Sequence, residues 1–103
     1  MKIQFNTDNN IQGGVRLTEP FESIIKNDLE RFNSQITRVE VHLSDENGDK
    51  NTPNDKKCIL EARLEGSKPI AVTHLADTHR QAVEGAVNKL KSLLESKLGR
   101  SQF

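Results

Sequence analysis

The stretch CILEARLEGSKPIAVTHL, residues 58–75, decides the fold of this chain. Every second residue from Cys58 to Leu64 is apolar, which is the alternation of a strand with one buried face. Residues 66–68 (GSK) predict a hairpin turn, and Pro69 can open the next strand without removing an interior ladder hydrogen bond. The stretch therefore predicts two antiparallel strands.

A helix is predicted directly after this hairpin. Thr78 and Gln81 have the Thr-x-x-Gln spacing of a capping box, and Gly99 is suited to terminate the helix. The predicted apolar stripe consists of Ala82, Val83, Ala86, Val87, Leu90, Leu93, Leu94 and Leu98. Gly85 inside the helix costs about 1 kcal/mol relative to alanine, so we expect a close approach to a neighbouring element there.

A further strand and a polar connection are predicted upstream of the hairpin. Residues 36–43 alternate, with Val39 and Val41 on the apolar face. Residues 45–56 are rich in Asp, Asn, Gly and Lys, and this composition predicts a flexible loop in which Asp45 and its neighbour are solvated.

The N-terminal third predicts a strand, a loop and a helix. Residues 2–6 alternate as a strand, and residues 7–17 have the composition of a loop. Thr18 is predicted to cap a helix over 19–32, with Pro20 in its first turn.

The element order β-α-β-β-β-α predicts an α+β fold. A strand–helix–strand start implies a parallel first pair, and the short or flexible connections that follow imply antiparallel neighbours. Both helices must cover the same apolar face. We therefore expect a two-layer sandwich with a four-stranded mixed sheet, formed by residues 1–103 as a single domain, with its other sheet face open to water.

Composition restricts the class of protein further. The chain has 103 residues, 33% of them hydrophobic, with 15 Lys and Arg against 15 Asp and Glu. This length suits one domain, and zero formal charge argues against a generally sticky polycation. A single Cys and the lack of a signal-peptide core or membrane-length apolar run predict a soluble cytoplasmic protein.

Catalytic motifs are weak in this sequence. The histidines His42, His74 and His79 lack metal-ligand spacing, and Cys58 falls on the apolar face of its strand. We expect no metal, no cofactor, no small-molecule substrate and no catalytic residue. An enzyme using His74 and Asp77 is the least favoured hypothesis.

Positive charge is concentrated near the end of the second predicted helix. Within residues 86–103, Glu95 alone opposes four cations, which gives a net charge of +3. These cations are Lys89, Lys91, Lys97 and Arg100. They either offset the helix dipole or form a patch for a polyanion.

The chain resembles the ribosome hibernation promoting factor and ribosome-associated inhibitor A family over nearly its whole length. Residues 28–32 (DLERF) resemble the Lys-Leu-Glu-Arg-Tyr of that family, and residues 39–43 (VEVHL) match its second strand. Residues 82–90 (AVEGAVNKL) resemble its second helix, Ala-Ile-Asp-x-x-x-Asp-Lys-Leu. Asp28 stands where the family usually has Lys, and Ser92 and Leu93 replace an Arg-Gln pair.

The resemblance implies a fold like that of double-stranded-RNA-binding domains and a bacterial stress factor that inhibits translation. Its partner would be the small ribosomal subunit, with basic helix residues on ribosomal RNA and no catalysis. The positions implied as RNA-binding are Arg31, Lys89, Lys91, Lys97 and Arg100. The neutral charge leaves open a second hypothesis, a protein-interaction or regulatory module that kept the fold but lost strong ribosome binding. A homodimer through exposed strand edges is also left open.

Overall fold

The computed structural model describes residues 1–7, 15–45 and 55–97. The element order is β-α-β-β-β-α, as predicted, with a short 3-10 helix, Glu30–Phe32, continuing the first α-helix. The elements are β1 (Lys2–Thr7), α1 (Val15–Leu29), β2 (Ile36–Asp45), β3 (Lys56–Leu64), β4 (Ile70–Ala76) and α2 (His79–Lys97).

The four strands form one mixed sheet in the order β1-β2-β3-β4. β1 pairs with β2 in parallel, and the two remaining pairs are antiparallel, as the connections predicted. The register aligns Phe5 with Val41, Val41 with Leu60, and Leu60 with Val72. Because side chains alternate along each strand, this register places these four apolar side chains on one face of the sheet.

Both helices contribute to a single core on that face. α2 packs against β3 and β4, and α1 packs beside α2. Ile25 and Leu29 of α1 are fully buried, as are Val87 and Leu90 of α2. The predicted two-layer α+β sandwich is therefore confirmed.

The hairpin and the second helix begin as the sequence predicts. Gly66 has φ of 75°, the left-handed conformation that glycine adopts without steric cost. At the start of α2, the Gln81 amide donates a 3.1 Å hydrogen bond to Thr78 Oγ1. The Thr78 carbonyl accepts a 3.0 Å hydrogen bond from the Ala82 amide, so Thr78 caps the helix with both its hydroxyl and its carbonyl oxygen.

Gly85 lies directly over the imidazole of His74. A Cβ built on Gly85 would fall 2.6 Å from His74 Cγ and closer still to Cδ2 and Nε2. Only a residue without a side chain fits here, which confirms the expected close approach and explains a glycine within a helix.

The start of the first helix differs from the prediction. α1 begins at Val15, so residues 15–17 are helical rather than loop, and Thr18 is not its cap. Pro20 lies at the sixth helical position. A proline inside a helix removes one amide donor and its ring crowds the preceding turn, at a cost of about 3 kcal/mol, so residues 15–19 are helical against the local preference of Pro20. The predicted loop over 8–14 lies outside the described residues.

Leu93 does not belong to the buried stripe of α2. It is 45% exposed, whereas Leu90 and Leu94 are fully buried. Leu93 follows Ala86 by seven residues and therefore lies at nearly the same angle around α2, yet Ala86 is fully buried, so the exposure of Leu93 reflects its position along the helix rather than around it. Leu98 and Gly99 lie outside the described residues.

The ends of the predicted 45–56 loop belong to the sheet. Asp45 ends β2 opposite Lys56, the first residue of β3. Lys56 Nζ donates to Asp45 Oδ2 at 2.9 Å and to Asp55 Oδ1 at 3.0 Å. The Asp45 carboxylate is 12% exposed, so the prediction that it is solvated is wrong, while its neighbour Glu46 lies outside the described residues. Asp55 is 3% exposed. The hydrogen bond with Asp45, followed by that with Asp55, raises the pKa of Lys56. Residues 46–54 lie outside the described part of the chain.

Candidate functional site

A shallow open cleft of about 420 Å³ lies between the two helices. Its lining residues are Asn27, Asp28, Glu30, Arg31 and Lys91. The cleft forms because α1 and α2 bury their apolar faces side by side and leave polar residues along the seam. Two of the predicted RNA-binding residues, Arg31 and Lys91, thus come together in one depression.

Arg31 is held in place by contacts on both sides of the cleft. Its guanidinium carbon lies 4.8 Å from the ring centroid of Phe32, which is only 3% exposed and is therefore fixed in the core. Arg31 Nη2 lies 3.6 Å from Glu95 Oε1 on α2. The pair is about half exposed on each side, so it is a weak interaction that a stronger anion can replace.

Lys89 does not share this cleft. Its ammonium donates a 2.8 Å hydrogen bond to the backbone carbonyl of Thr73 on β4. Residues two positions apart on a helix face different directions, so Lys89 and Lys91 lie on opposite flanks of α2. Lys97 is exposed in the last turn of α2, and Arg100 lies outside the described residues.

The cleft has mixed charge rather than positive charge. Arg31 and Lys91 face Asp28 and Glu30 among the lining residues, so two cations and two carboxylates balance to zero. Glu95, beside Arg31, adds a third carboxylate. Of the four cations counted along residues 86–103, the three that the structure describes, Lys89, Lys91 and Lys97, are therefore distributed around α2 rather than gathered at one site.

A row of three cations on the open face of the sheet was not predicted from the sequence. The register places Lys2 of β1 beside Arg38 of β2, and Arg38 beside Arg63 of β3. Glu40 Oε2 lies 2.8 Å from Arg38 Nη2 and 3.2 Å from Arg63 Nε. Arg63 Nη2 also lies 3.0 Å from Glu61 Oε1. Alternation could place these side chains on the polar face, but their alignment depends on register, which local sequence does not reveal.

The register brings one cysteine and one histidine together on the core face. Cys58 pairs with His74 across β3 and β4. Cys58 is fully buried, however, and burial raises the pKa of its thiol to about 12. The thiol stays protonated at neutral pH and acts as a small apolar side chain. His74 lies under Gly85, beneath the first turns of α2.

Within residues 1–7, 15–45 and 55–97, no three His, Cys, Asp or Glu side chains are grouped to hold a metal ion. His42 lies on the polar face of the sheet, with Nε2 3.8 Å from Glu40 Oε1. Neither helix of this described part is long and apolar enough to cross a membrane.

The class of protein is defined by its fold, a four-stranded mixed sheet covered on one face by two helices. Residues 10–102 match the family of the Sigma 54 modulation protein / S30EA ribosomal protein. The match covers most of the chain, and the chain belongs to this family. The resemblance found in the sequence is therefore confirmed.

Two solved structures share the fold. A ribosomal subunit interface protein from Coxiella burnetii superposes with a TM-score of 0.67 and 18% identity, covering 94% of this chain and 97% of that one. The N-terminal domain of Thermus thermophilus Protein Y also has a TM-score of 0.67, with 15% identity, covering 93% and 98%.

One curated relative is also similar in sequence. Protein FAM136A of Xenopus tropicalis is 30% identical over 73 residues, which are 71% of this chain. The chain spans about half the length of that relative.

Proposed function

We propose that this protein is a cytoplasmic, ribosome-associated translation inhibitor that binds the small ribosomal subunit through its RNA under stress. Membership of the S30EA ribosomal protein family over residues 10–102 is the observation that carries this proposal. The shared fold with a protein described as a ribosomal subunit interface protein supports it. The proposed action is occlusion of the subunit, which needs neither a catalytic residue nor a cofactor.

The interhelical cleft is the proposed centre of the RNA contact. Arg31 presents a planar guanidinium that can bind a phosphate through two N–H groups, and its stacking on Phe32 limits the freedom that binding must remove. Lys91 supplies a second cation to the same depression. Each phosphate that these cations neutralise releases counterions, so the affinity should fall as salt rises.

The other three predicted residues are proposed as further RNA contacts outside the cleft. Lys97 is a cation in the exposed last turn of α2, and Arg100 lies outside the described residues. Lys89 contacts RNA in this proposal while keeping its bond to Thr73, because an ammonium has more than one N–H donor.

Co-sedimentation of the purified chain with isolated small and large ribosomal subunits, over a series of salt concentrations, tests this function. We expect the protein to pellet with the small subunit, with affinity falling linearly on a log–log plot against salt. Lys91→Glu should weaken binding, whereas Lys68→Glu, the same charge change in the exposed β3–β4 turn, should not. A protein that stays in the supernatant at the lowest salt would contradict the proposal.

A protein-interaction module is the second candidate function, and the balanced charge of the cleft favours it. In this alternative, Asp28 and Glu30 select a protein surface of mixed charge over RNA. Affinity capture from stationary-phase lysate separates the two functions. Recovery of ribosomal RNA and ribosomal proteins as the main species would contradict the alternative.

A further inference from the structure

Glu95 lies where a bound phosphate would have to compete with it. Its Oε1 is 3.6 Å from Arg31 Nη2, across the seam between α2 and the 3-10 helix. At 3.6 Å the contact is an ion pair rather than a hydrogen bond, so the carboxylate competes with a phosphate through its charge. Arg31 therefore attracts an RNA phosphate less strongly while the Glu95 carboxylate lies beside it.

The second cation of the cleft is also within reach of Glu95. Lys91 and Glu95 are four residues apart on α2, the spacing at which helical side chains are neighbours. If a phosphate displaces the Glu95 carboxylate from Arg31, the carboxylate can turn toward Lys91. It then reduces the second cation's attraction for RNA, and it also repels the incoming phosphate.

The contact with Phe32 keeps the Arg31 guanidinium close to Glu95. The guanidinium rests on the Phe32 ring, which is buried in the core, and this contact limits how far Arg31 can swing away from Glu95. Asp28 and Glu30 on the other wall of the cleft add negative charge rather than removing it.

We propose that Glu95 is an internal competitor of RNA phosphate for Arg31 and Lys91, and that it sets the affinity and salt dependence of the cleft. This inference rests on the proposed function. In the wild type, an RNA phosphate that binds Arg31 replaces the Glu95 carboxylate. Binding therefore releases fewer counterions than it would if Arg31 had no carboxylate beside it. Without the carboxylate, that exchange becomes a release of counterions.

Glu95→Gln tests the inference, because glutamine keeps the shape of the side chain and removes its charge. Glu84→Gln is the matched control: Glu84 lies on the same helix and forms an exposed ion pair with Arg80 at 3.4 Å, away from the cleft. Binding of the full-length wild type and both variants to purified small subunits is measured over a salt series.

We expect Glu95→Gln to bind about two- to fivefold more tightly at the lowest salt, the range of an exposed ion pair. Its plot of log affinity against log salt should be steeper by about 0.7–0.9, the value of one phosphate contact. Glu95→Asp should restore much of the wild-type slope. A change in stability alone would not alter this slope, so the slope separates competition from a structural role.

The outcomes distinguish the two proposals. If the wild type binds and Glu95→Gln matches it in affinity and slope, the competition is overturned and the proposed function stands. A gain shared equally by Glu84→Gln also overturns it, because the effect would then reflect net charge. If none of the three proteins binds the subunit at any salt, the proposed function fails, and the competition fails with it.

Discussion

Lys89 Nζ donates a 2.8 Å hydrogen bond to the Thr73 carbonyl and so ties α2 to the edge strand β4. Edge strands present unpaired backbone groups that can pair with another chain. The lysine satisfies one of these acceptors and places a charge beside the edge. A residue predicted only as an RNA contact therefore also protects the sheet.

Replacing Lys89 by Met should lower the free energy of unfolding by about 0.5–1.5 kcal/mol, the net value of one hydrogen bond. Methionine keeps the unbranched apolar stem and removes the donor. Denaturant titration measures the change. Lys97→Met removes a cation from the exposed last turn of the same helix and serves as the control. Equal stability of the two variants would contradict a role for Lys89 at the edge.

Gly85→Ala should destabilise the protein by about 1–2 kcal/mol, because its methyl group would overlap His74 by more than the helix propensity of alanine can offset. The sign should reverse when His74 is already alanine. In that background Gly85→Ala should stabilise by up to about 1 kcal/mol. Thermal or denaturant unfolding of the four proteins of this cycle measures the coupling, and additive effects would show that the two residues do not compete for space.

Leu90→Ala should lower the free energy of unfolding by about 2–5 kcal/mol, because Leu90 is fully buried and its truncation leaves a cavity between α2 and the sheet. Leu93→Ala makes the same chemical change three residues later, at a half-exposed position. We expect it to change stability by less than about 0.5 kcal/mol. Similar losses from both substitutions would contradict the assignment of the buried face.

Alkaline pH should destabilise the protein through Cys58. The unfolded thiol ionises near its usual pKa of 9.0, whereas burial raises the folded pKa to about 12. The unfolded state thus loses this proton first, and stability falls as pH rises from about 9 to 12, by up to about 1.4 kcal/mol per pH unit. Cys58→Ala should show a shallower fall over that window. Equal slopes for the two proteins would contradict the burial of the thiol.

The thiol should also be unreactive in the folded state. A disulfide reagent such as dithiobis-nitrobenzoate should label Cys58 only as fast as the protein opens, and labelling should become rapid in denaturant. Fast labelling under native conditions would indicate an accessible thiolate.

The elements that depend on neighbouring residues could be predicted from local sequence patterns. The alternation from Cys58 to Leu64, the turn at Gly66 and the Thr78 cap each depend on neighbours in sequence, and the structure confirms them. The start of α1 was missed because Pro20 resembles a first-turn proline when only its neighbours are considered. Whether Leu93 is buried depends on where α2 lies over the sheet, and the periodicity of the sequence does not contain this information.

Residues of the candidate site could be predicted from the sequence, but their arrangement in space could not. Arg31 and Lys91 could be proposed from charge and resemblance, and the structure places them in one cleft. The pairing of Arg31 with Glu95 depends on how the two helices pack. The alignment of Arg38 with Arg63 depends on strand register. These relationships join residues distant in sequence, so they become visible only in the folded chain.

The ion pairs of Lys56 with Asp45 and Asp55 have a practical consequence for engineering this protein. They fasten the ends of β2 and β3 within the sheet, at the two points where the connection over 46–54 departs. The cost of closing a connection rises slowly with its length, by about 0.6 kcal/mol for each doubling. An epitope or a fluorescent reporter inserted there would begin and end at ion pairs that already hold the ends of β2 and β3 in register.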